Sequence, residues 1–429
     1  MPGDQQTELP AVHEAWLPRE HSLYRPRYSK RQRSGLICAA VFFLTPVLLL
    51  VLGVRPASFE NRELAAFPSV GDGWGLFTDL PAWASDHLPL RDVAVGAVDD
   101  VSRGVFGEAP ELGRGHGTAP VGPIAGPRFP DPDDPAARNS SYPDVIQGRD
   151  DWLYLGEDMR GACLPSLQRE EVIARLQRLR AAVEKSGRTF LFVVAPNKST
   201  MVPQFLPETY VGSDCAKSVS EVFWRDTVPK TGGVDLRESL RAVADDDVLY
   251  TKVDSHWTPG GALVMVRAIA EGIQPGVTGS WRVGSGDLLT AKGDIPLLIG
   301  REETATVRHY DLLPDGRTVR SRPVNKQFLE PLPLTQAPGD GVVGNRVAMV
   351  ADSFSLSATP YLAGAFADVT VVHADSVGRR AVDLARFFAD RDVVVVQAVE
   401  RSLVSGRNGL LEDGVVEEVE RVLAADPIR

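Results

Sequence analysis

The sequence predicts an α/β protein with an open, mostly parallel sheet covered by helices on both faces, plus one N-terminal transmembrane helix. Apolar runs without alternation, typical of parallel strands buried on both faces, lie at 189–195, 346–350 and 392–397. Amphipathic helical patterns separate these runs, as expected when strands and helices alternate. A run of nineteen residues without a charge, 36–54, lies near the N-terminus.

The uncharged run 36–54 is long enough to cross a hydrocarbon core of roughly 30 Å. Five Lys and Arg residues between positions 25 and 33 precede it, which indicates a cytoplasmic N-terminus. A cleaved secretory signal is an alternative that a long basic region and Arg55 disfavour, and a helix of a soluble core is a further one. We predict a cytoplasmic basic tail (1–34) and an uncleaved membrane anchor (35–54), with the remaining chain outside the cytoplasm.

Charge and composition narrow the possible partners. The chain of 429 residues has a net charge of −11, of which residues 1–34 carry +2 and the remainder −13. An acidic outer part argues against nucleic-acid binding, which requires a basic surface. Because the seven histidines and three cysteines show no metal-site spacing, we expect neither a metal nor a cofactor.

Two cysteines, Cys163 and Cys215, lie in polar sequence of the outer part. An oxidising compartment permits a disulfide between them, and free thiols are the alternative. Cys38 lies within the apolar run and is interpreted as a small apolar residue.

The outer part divides by composition. We predict a juxtamembrane segment (55–108) that packs on the main domain, a Gly/Pro-rich loop or linker (109–146) and the main domain itself (147–429), with an insertion at about 280–340. A weaker strand is predicted at 369–373. The helical patterns lie at 169–186, 258–273, 354–366, 377–389 and 412–424.

The stretch 254–258, Asp-Ser-His-Trp-Thr, offers a base and its orienting group. In an extended segment, side chains two residues apart project to the same side, so the carboxylate of Asp254 can accept a hydrogen bond from His256 and fix its tautomer. Thr258 and Pro259 predict a helix start directly afterwards. Taken alone, a histidine bonded for structural reasons is the simpler interpretation.

Ser353 follows the apolar run 346–350 and precedes a helical pattern. A serine at such a strand-to-helix turn exposes its hydroxyl, and backbone N–H groups of the first turn can face an oxyanion. The alternative is that Asp352, Ser353 and Ser355 only cap the helix. Together with Asp254 and His256, however, Ser353 completes the acid, base and nucleophile of acyl transfer.

The chain resembles the SGNH-hydrolase-like alginate O-acetyltransferase family of the AlgJ/AlgX type. Stretch 254–258 matches the family pattern Asp-x-His-Trp-Thr, and 352–355 matches Gly-Asp-Ser-Phe-Ser, with Ala351 in place of the glycine. Further matches are Glu60-Asn61-Arg62 with Phe67-Pro68, Asp86-His87 to Arg91, Gly148 to Leu153 with Asp151 where glycine is usual, Pro196-Asn197-Lys198-Ser199, Gly293-Asp294 and Glu400-Arg401.

The resemblance implies an SGNH-hydrolase-like fold with Ser353 as nucleophile, His256 as base and Asp254 as its orienting residue. It further implies extracytoplasmic transfer of acetyl groups to an exported polysaccharide, beside a multi-spanning membrane acyltransferase that exports acetyl groups. A polysaccharide O-acetyl esterase and a non-catalytic polysaccharide-binding scaffold remain alternatives. Asn197, Gln397 and Arg401 are candidates for binding the oxyanion or substrate, although Arg401 could instead form a structural ion pair.

Overall fold

The computed structural model describes residues 30–52, 54, 83, 142–244, 248–324, 328–377 and 381–428. The predicted tail before residue 30, nearly all of the juxtamembrane segment and the linker up to residue 141 lie outside the described residues. The same is true of the family motifs predicted around Arg62 and His87. The chain divides into two compact units, residues 1–94 and 95–429.

In the first unit the main described element is helix α1, Lys30–Val51. Its stretch Arg33–Leu50 is long and apolar enough to cross a membrane by length and composition alone. Leu36, Phe42 and Phe43 each expose 70% or more of their surface, and a bilayer is one environment that would cover such side chains. Membrane insertion and its orientation remain predictions.

The described residues of the second unit form ten strands. They are β1 Val145–Gln147, β2 Leu153–Leu155, β3 Thr189–Ala195, β4 Gly233–Asp235, β5 Arg282–Lys292, β6 Thr304–Leu313, β7 Leu332–Thr335, β8 Val343–Ala351, β9 Phe366–His373 and β10 Val393–Val399. The central sheet has the order β4-β3-β10-β8-β9-β7. All neighbouring pairs are parallel except β7, which pairs antiparallel with β9 at the edge. The prediction of a mostly parallel open sheet is confirmed.

Helices cover both faces of this sheet. The helices among the described residues of this unit are α2 Glu157–Cys163, α3 Arg169–Lys185, α4 Lys198–Met201, α5 Ser213–Val222, α6 Val228–Thr231, α7 Arg237–Val243, α8 Pro259–Ile273, α9 Thr359–Ala365, α10 Ala374–Val377, α11 Ala381–Ala389, α12 Glu400–Val404 and α13 Val415–Ala425. Helices α8 and α9 contribute to the core on one face, and α3, α11 and α13 to the core on the other. Gly187, at φ +85°, ends α3 in the left-handed region that glycine adopts most readily.

Alternate residues of each central strand enter the two cores, which explains the continuous apolar runs. Val193, Met349 and Val395 lie in the first core, and Val194, Val350 and Val396 in the second. Strands β3 and β10 are in register to their last residues, Ala195 and Val399. The residues that follow these strands therefore emerge at the same edge, where α/β sheets bind their ligands.

The segment predicted as an insertion, about 280–340, contains a separate antiparallel ribbon formed by β5 and β6. It also contains β7, the edge strand of the main sheet. The connection between β5 and β6 begins at Gly293 and Asp294, and this connection contributes to the site described below.

Candidate active site

The two motifs predicted from the sequence meet at the carboxyl end of β8. Ser353 follows this strand, and its Oγ lies 2.8 Å from Nε2 of His256. The other ring nitrogen of His256, Nδ1, lies 2.8 Å from Oδ1 of Asp254. Because an ionised carboxylate only accepts hydrogen bonds, Nδ1 carries the proton and Nε2 is left to accept one from the serine hydroxyl. This geometry suits general-base activation of Ser353.

The loop that carries His256 is held by local bonds. Oδ1 of Asp254 also accepts a hydrogen bond of 2.8 Å from the backbone N–H of His256. Tyr250 and Trp257 form an antiparallel bridge that closes the loop. Helix α8 begins at Pro259 as predicted, but the hydroxyl of Thr258 donates to the carbonyl of Val248 and does not cap the helix.

The electrostatic surroundings favour a histidine that readily takes up a proton. Burial opposes charge on His256, but the hydrogen bond to Asp254 and the negative charges of Asp294 and Asp254 outweigh it and raise the pKa of the imidazole. Burial likewise opposes charge on Asp254, but the hydrogen bond and charge of His256 lower the pKa of this carboxyl. Asp254 therefore stays ionised, and its negative charge favours the protonated form of His256.

A second carboxylate, Asp294, lies on the same side of the imidazole. Its Oδ2 is 3.4 Å from Nδ1 of His256. It also accepts two hydrogen bonds from Ser255, from the backbone N–H at 2.7 Å and from Oγ at 2.5 Å. Sequence reasoning did not assign this residue to the site, although the Gly293-Asp294 pair among the family matches marked its position.

The loop that carries Ser353 rests on a buried network. Asp352 accepts bonds from the backbone N–H groups of Phe354 and Val399, so the capping interpretation of Asp352 is also correct. Gln397 is fully buried; its amide oxygen accepts bonds from the backbone of Asp352 and the hydroxyl of Ser355. Its amide nitrogen donates to Oδ1 of Asp352.

These bonds correct the prediction that Gln397 faces the substrate. The side chain of Gln397 has no exposure, and both of its amide atoms are hydrogen-bonded to the loop that carries Ser353. It therefore supports this loop from the protein interior. Ala351, which stands where the family has glycine, is also fully buried at the end of β8, opposite His373. The methyl group of Ala351 is thus part of the core, and the Ser353–His256 hydrogen bond forms in its presence.

An aromatic contact joins the two motifs. The indole N–H of Trp257 donates to the carbonyl of Phe354 at 2.9 Å. The ring of Phe354 lies 5.0 Å from His256 and 5.1 Å from Trp257, centroid to centroid. Trp257 is only 3% exposed, so it packs beneath the site and fixes the distance between base and nucleophile.

The remaining predicted binding residues, Asn197 and Arg401, are bonded to each other. Oδ1 of Asn197 accepts from the backbone N–H of Arg401, and the backbone N–H of Asn197 donates to Glu400. The guanidinium of Arg401 lies 5.1 Å from the ring centroid of Phe354 and 4.0 Å from Asp158. Arg401 thus forms the ion pair considered as its alternative role while lying beside the residue that follows Ser353. Oxyanion binding by either residue stays a prediction.

Two further predictions concern cysteines and metals. The structure joins Cys163 of α2 and Cys215 of α5 in a disulfide across a sequence separation of 52.

Among the described residues, the set of side chains spaced closely enough for a cation is Asp254, His256 and Asp294. Hydrogen bonds to His256 and Ser255 account for the positions of both carboxylates, so we treat them as hydrogen-bonding groups.

The protein has an open, mostly parallel α/β sheet. Its candidate site is a hydrogen-bonded set of Ser353, His256 and Asp254 at the carboxyl end of β8. Residues 145–376, more than half of the chain, match the family described as SGNH hydrolase-like domain, acetyltransferase AlgX. The chain belongs to this family.

Curated relatives include probable alginate O-acetylases AlgJ. The protein of Pseudomonas syringae pv. tomato is 27% identical over 137 residues, which is 32% of this chain and 34% of that protein. The protein of Pseudomonas aeruginosa is 24% identical over 230 residues, 50% of this chain and 56% of that protein. The chain thus spans between about a third and just over half of the length of these relatives.

Solved structures similar to the chain include two from proteins named AlgJ and AlgX. The O-acetyltransferase domain of Pseudomonas putida AlgJ has a TM-score of 0.42 and 17% identity, and covers 66% of this chain and all of that domain. Pseudomonas aeruginosa AlgX has a TM-score of 0.43 and 16% identity over 65% of both chains. Since both TM-scores lie below 0.5, the family assignment depends on the sequence match.

Proposed function

We propose that this protein is an extracytoplasmic O-acetyltransferase that moves acetyl groups onto hydroxyls of an exported polysaccharide through a serine acyl-enzyme. The observation that carries the proposal is the continuous chain of two hydrogen bonds of 2.8 Å from Ser353 through His256 to Asp254. Membership of an acetyltransferase family and the relatives named alginate O-acetylases support acetyl as the acyl group and a polysaccharide as the acceptor.

In the first half-reaction, Oγ of Ser353 attacks the carbonyl carbon of the acetyl donor while Nε2 of His256 takes its proton. The tetrahedral intermediate expels the donor's leaving group, which receives that proton, and Ser353 is left acetylated. In the second half, a sugar hydroxyl attacks the acetyl carbon and gives its proton to Nε2. Collapse of this intermediate releases the acetylated sugar and returns the proton to Ser353. Asp254 stays ionised throughout and stabilises the imidazolium.

The negative oxygen of each tetrahedral intermediate requires hydrogen-bond donors. We propose Arg401 and Asn197 for this role, because the residues after β10 and β3 emerge at the same sheet edge as Ser353. Arg401 is the stronger candidate, since β10 is the direct neighbour of β8 and its guanidinium lies over Phe354.

The proposal includes anchoring and acetyl supply. Helix α1 would hold the protein in the cytoplasmic membrane with the basic tail inside. A multi-spanning membrane acyltransferase would deliver acetyl groups to the outer face, because activated acetyl donors are made in the cytoplasm. Which exported polysaccharide accepts the acetyl group is left to the experiment.

The test uses the purified chain with an aryl acetate donor and two acceptors, an alginate oligosaccharide and a neutral oligosaccharide. We expect an O-acetylated sugar product and a covalent acetyl group on Ser353, both detectable by mass spectrometry. Ser353→Ala should abolish both products, whereas Ser357→Ala, a control on the same turn, should retain them. Release of acetate without an acetylated sugar would indicate an esterase, and equal turnover by Ser353→Ala would refute the nucleophile.

A further inference from the structure

Lys198, the first residue of α4, is a buried lysine directed at the loop that carries the base. Its side chain is only 2% exposed. The ammonium Nζ donates hydrogen bonds to the backbone carbonyls of Lys252, at 2.9 Å, and Asp254, at 3.0 Å. These two carbonyls lie on either side of Val253, so one side chain holds the backbone that leads into the catalytic motif.

The aromatic rings and carboxylates around Lys198 favour a positive charge, whereas its burial disfavours one. Its Nζ lies 5.1 Å from the ring centroid of Trp152 and 5.3 Å from that of Tyr154, and aromatic faces attract cations. Burial lowers the pKa of Lys198 to about 7, against the opposing effect of the carboxylates of Asp294, Asp254 and Asp158. Burying a charged amine costs free energy. The negative charges of Asp254 and Asp294 offset part of that cost for Lys198.

We propose that Lys198 is a positioning residue for the catalytic base: its ammonium holds the backbone at Lys252 and Asp254 and balances the negative charge of Asp254 and Asp294. This inference rests on the proposed function. Lys198 does not take part in proton transfer. It acts through Asp254, whose carboxylate sets the tautomer and orientation of His256.

Two separate effects follow from removing the ammonium. The carbonyls of Lys252 and Asp254 lose a buried donor, so the loop loosens and the imidazole is held less well. The carboxylates of Asp254 and Asp294 also lose a compensating charge, so His256 becomes easier to protonate. The charged groups with the largest effects on His256 are Asp254, Asp294 and Arg401. Lys198 acts on Asp254, and an uncharged residue at position 198 leaves the carboxylates of Asp254 and Asp294 less balanced.

The experiment compares Lys198→Met, which removes both donor and charge, with Lys198→Gln, which keeps an amide donor without the charge. Lys217→Met, an exposed lysine on α5, is the matched control. For aryl acetate as donor we expect Lys198→Met to lower kcat about 10–100-fold with little change in KM, because small displacements of a catalytic group have effects of this size. Lys198→Gln should recover part of kcat.

The acid limb of the pH profile separates positioning from a general structural role. In both Lys198 variants the acid limb should move to higher pH, because loss of the positive charge at position 198 raises the pKa of His256. Lys217→Met should keep the wild-type kcat and limb. The proposal is overturned if both variants keep the wild-type kcat, if kcat falls while the acid limb stays in place, or if neither variant folds.

A direct titration keeps this inference distinct from the proposed function. The pKa of His256, followed through its ring protons by NMR, should be higher in Lys198→Gln than in the wild-type protein. If wild-type protein transfers no acetyl group but the shift is present, the proposed function fails and the positioning role stands. An unchanged pKa of His256 in an active protein would overturn the positioning role alone.

Discussion

Asp294 and His256 are separated by 3.4 Å, measured from Oδ2 of the carboxylate to Nδ1 of the imidazole. Two carboxylates therefore lie beside the same ring nitrogen, and Asp254 is the closer at 2.8 Å. Asp294 belongs to the connection between β5 and β6, so the ribbon of the predicted insertion contributes directly to the site. Asp294 accepts two hydrogen bonds from Ser255, the residue between Asp254 and His256.

We expect Asp294→Asn to lower the pKa of His256, because a negative charge that favours the imidazolium is removed. The acid limb of kcat/KM should therefore move to lower pH, opposite to the shift expected for the Lys198 variants. Asn has only one acceptor oxygen and cannot accept from both the backbone N–H and Oγ of Ser255, so kcat should fall. The pH profile of acetyl transfer measures both effects, with Asp287→Asn on the exposed part of β5 as control. A limb that stays in place would exclude Asp294 from the electrostatics of the site.

The pKa of His256 should lie above that of an ordinary histidine. Since Asp254 and Asp294 raise the pKa of His256, activity should be lost as pH falls through a value above about 6.5, where the imidazole becomes protonated. His256→Ala should lower kcat/KM by about 10²–10⁴ and remove this limb. His309→Ala, which alters a histidine of β6 that stacks on Tyr361, should have neither effect. A loss smaller than about tenfold in His256→Ala would show that another group is the base.

Gly293 is expected to be essential for the position of Asp294. A Cβ atom at this residue would lie 2.3 Å from the carbonyl oxygen of Val253, so the chain must shift to accept alanine. Gly293→Ala should therefore move Asp294 away from Ser255 and reduce kcat about tenfold or more. Gly344→Ala, where the added atom meets nothing within 4 Å, is the control. Full activity of Gly293→Ala would show that the backbone yields without disturbing the site.

Gln397 should matter for stability as well as activity. Gln397→Met keeps a similar volume but leaves Asp352 and Ser355 without their buried partner. The free energy of unfolding should fall by about 1–3 kcal/mol for each polar group left unsatisfied. Urea unfolding measures this loss, and the exposed substitution Gln177→Met should cause almost none. If Gln397→Met is as stable as wild type, the network beneath Ser353 is not what holds the turn.

The central strands could be predicted from the sequence because a strand buried on both faces is a continuous apolar run. The run 189–195 coincides with β3, and the runs 346–350 and 392–397 lie in or overlap β8 and β10. Ser353 could be placed at the sheet edge because it follows an apolar strand. Its pairing with Asp254 and His256, which lie in a loop and, among the described residues, follow no strand of the sheet, was inferred from their combined chemistry and from the family resemblance. The insertion was less predictable, since neither the ribbon pairing of β5 with β6 nor the edge pairing of β7 leaves a comparable apolar run.

The sequence by itself indicated the sheet, its covering helices and the residues that we propose as nucleophile, base and orienting carboxylate. These features show in local periodicity, in the residue types after a strand and in the family resemblance. Only the tertiary structure brought Asp294, Lys198 and Gln397 into contact with the loops of the site. Each of these acts on a residue far away in the chain, and a contact of this kind leaves no periodic signal. Distance, burial and hydrogen-bond direction arise only when the separated segments pack together, so the functional surroundings of the triad became visible only in three dimensions.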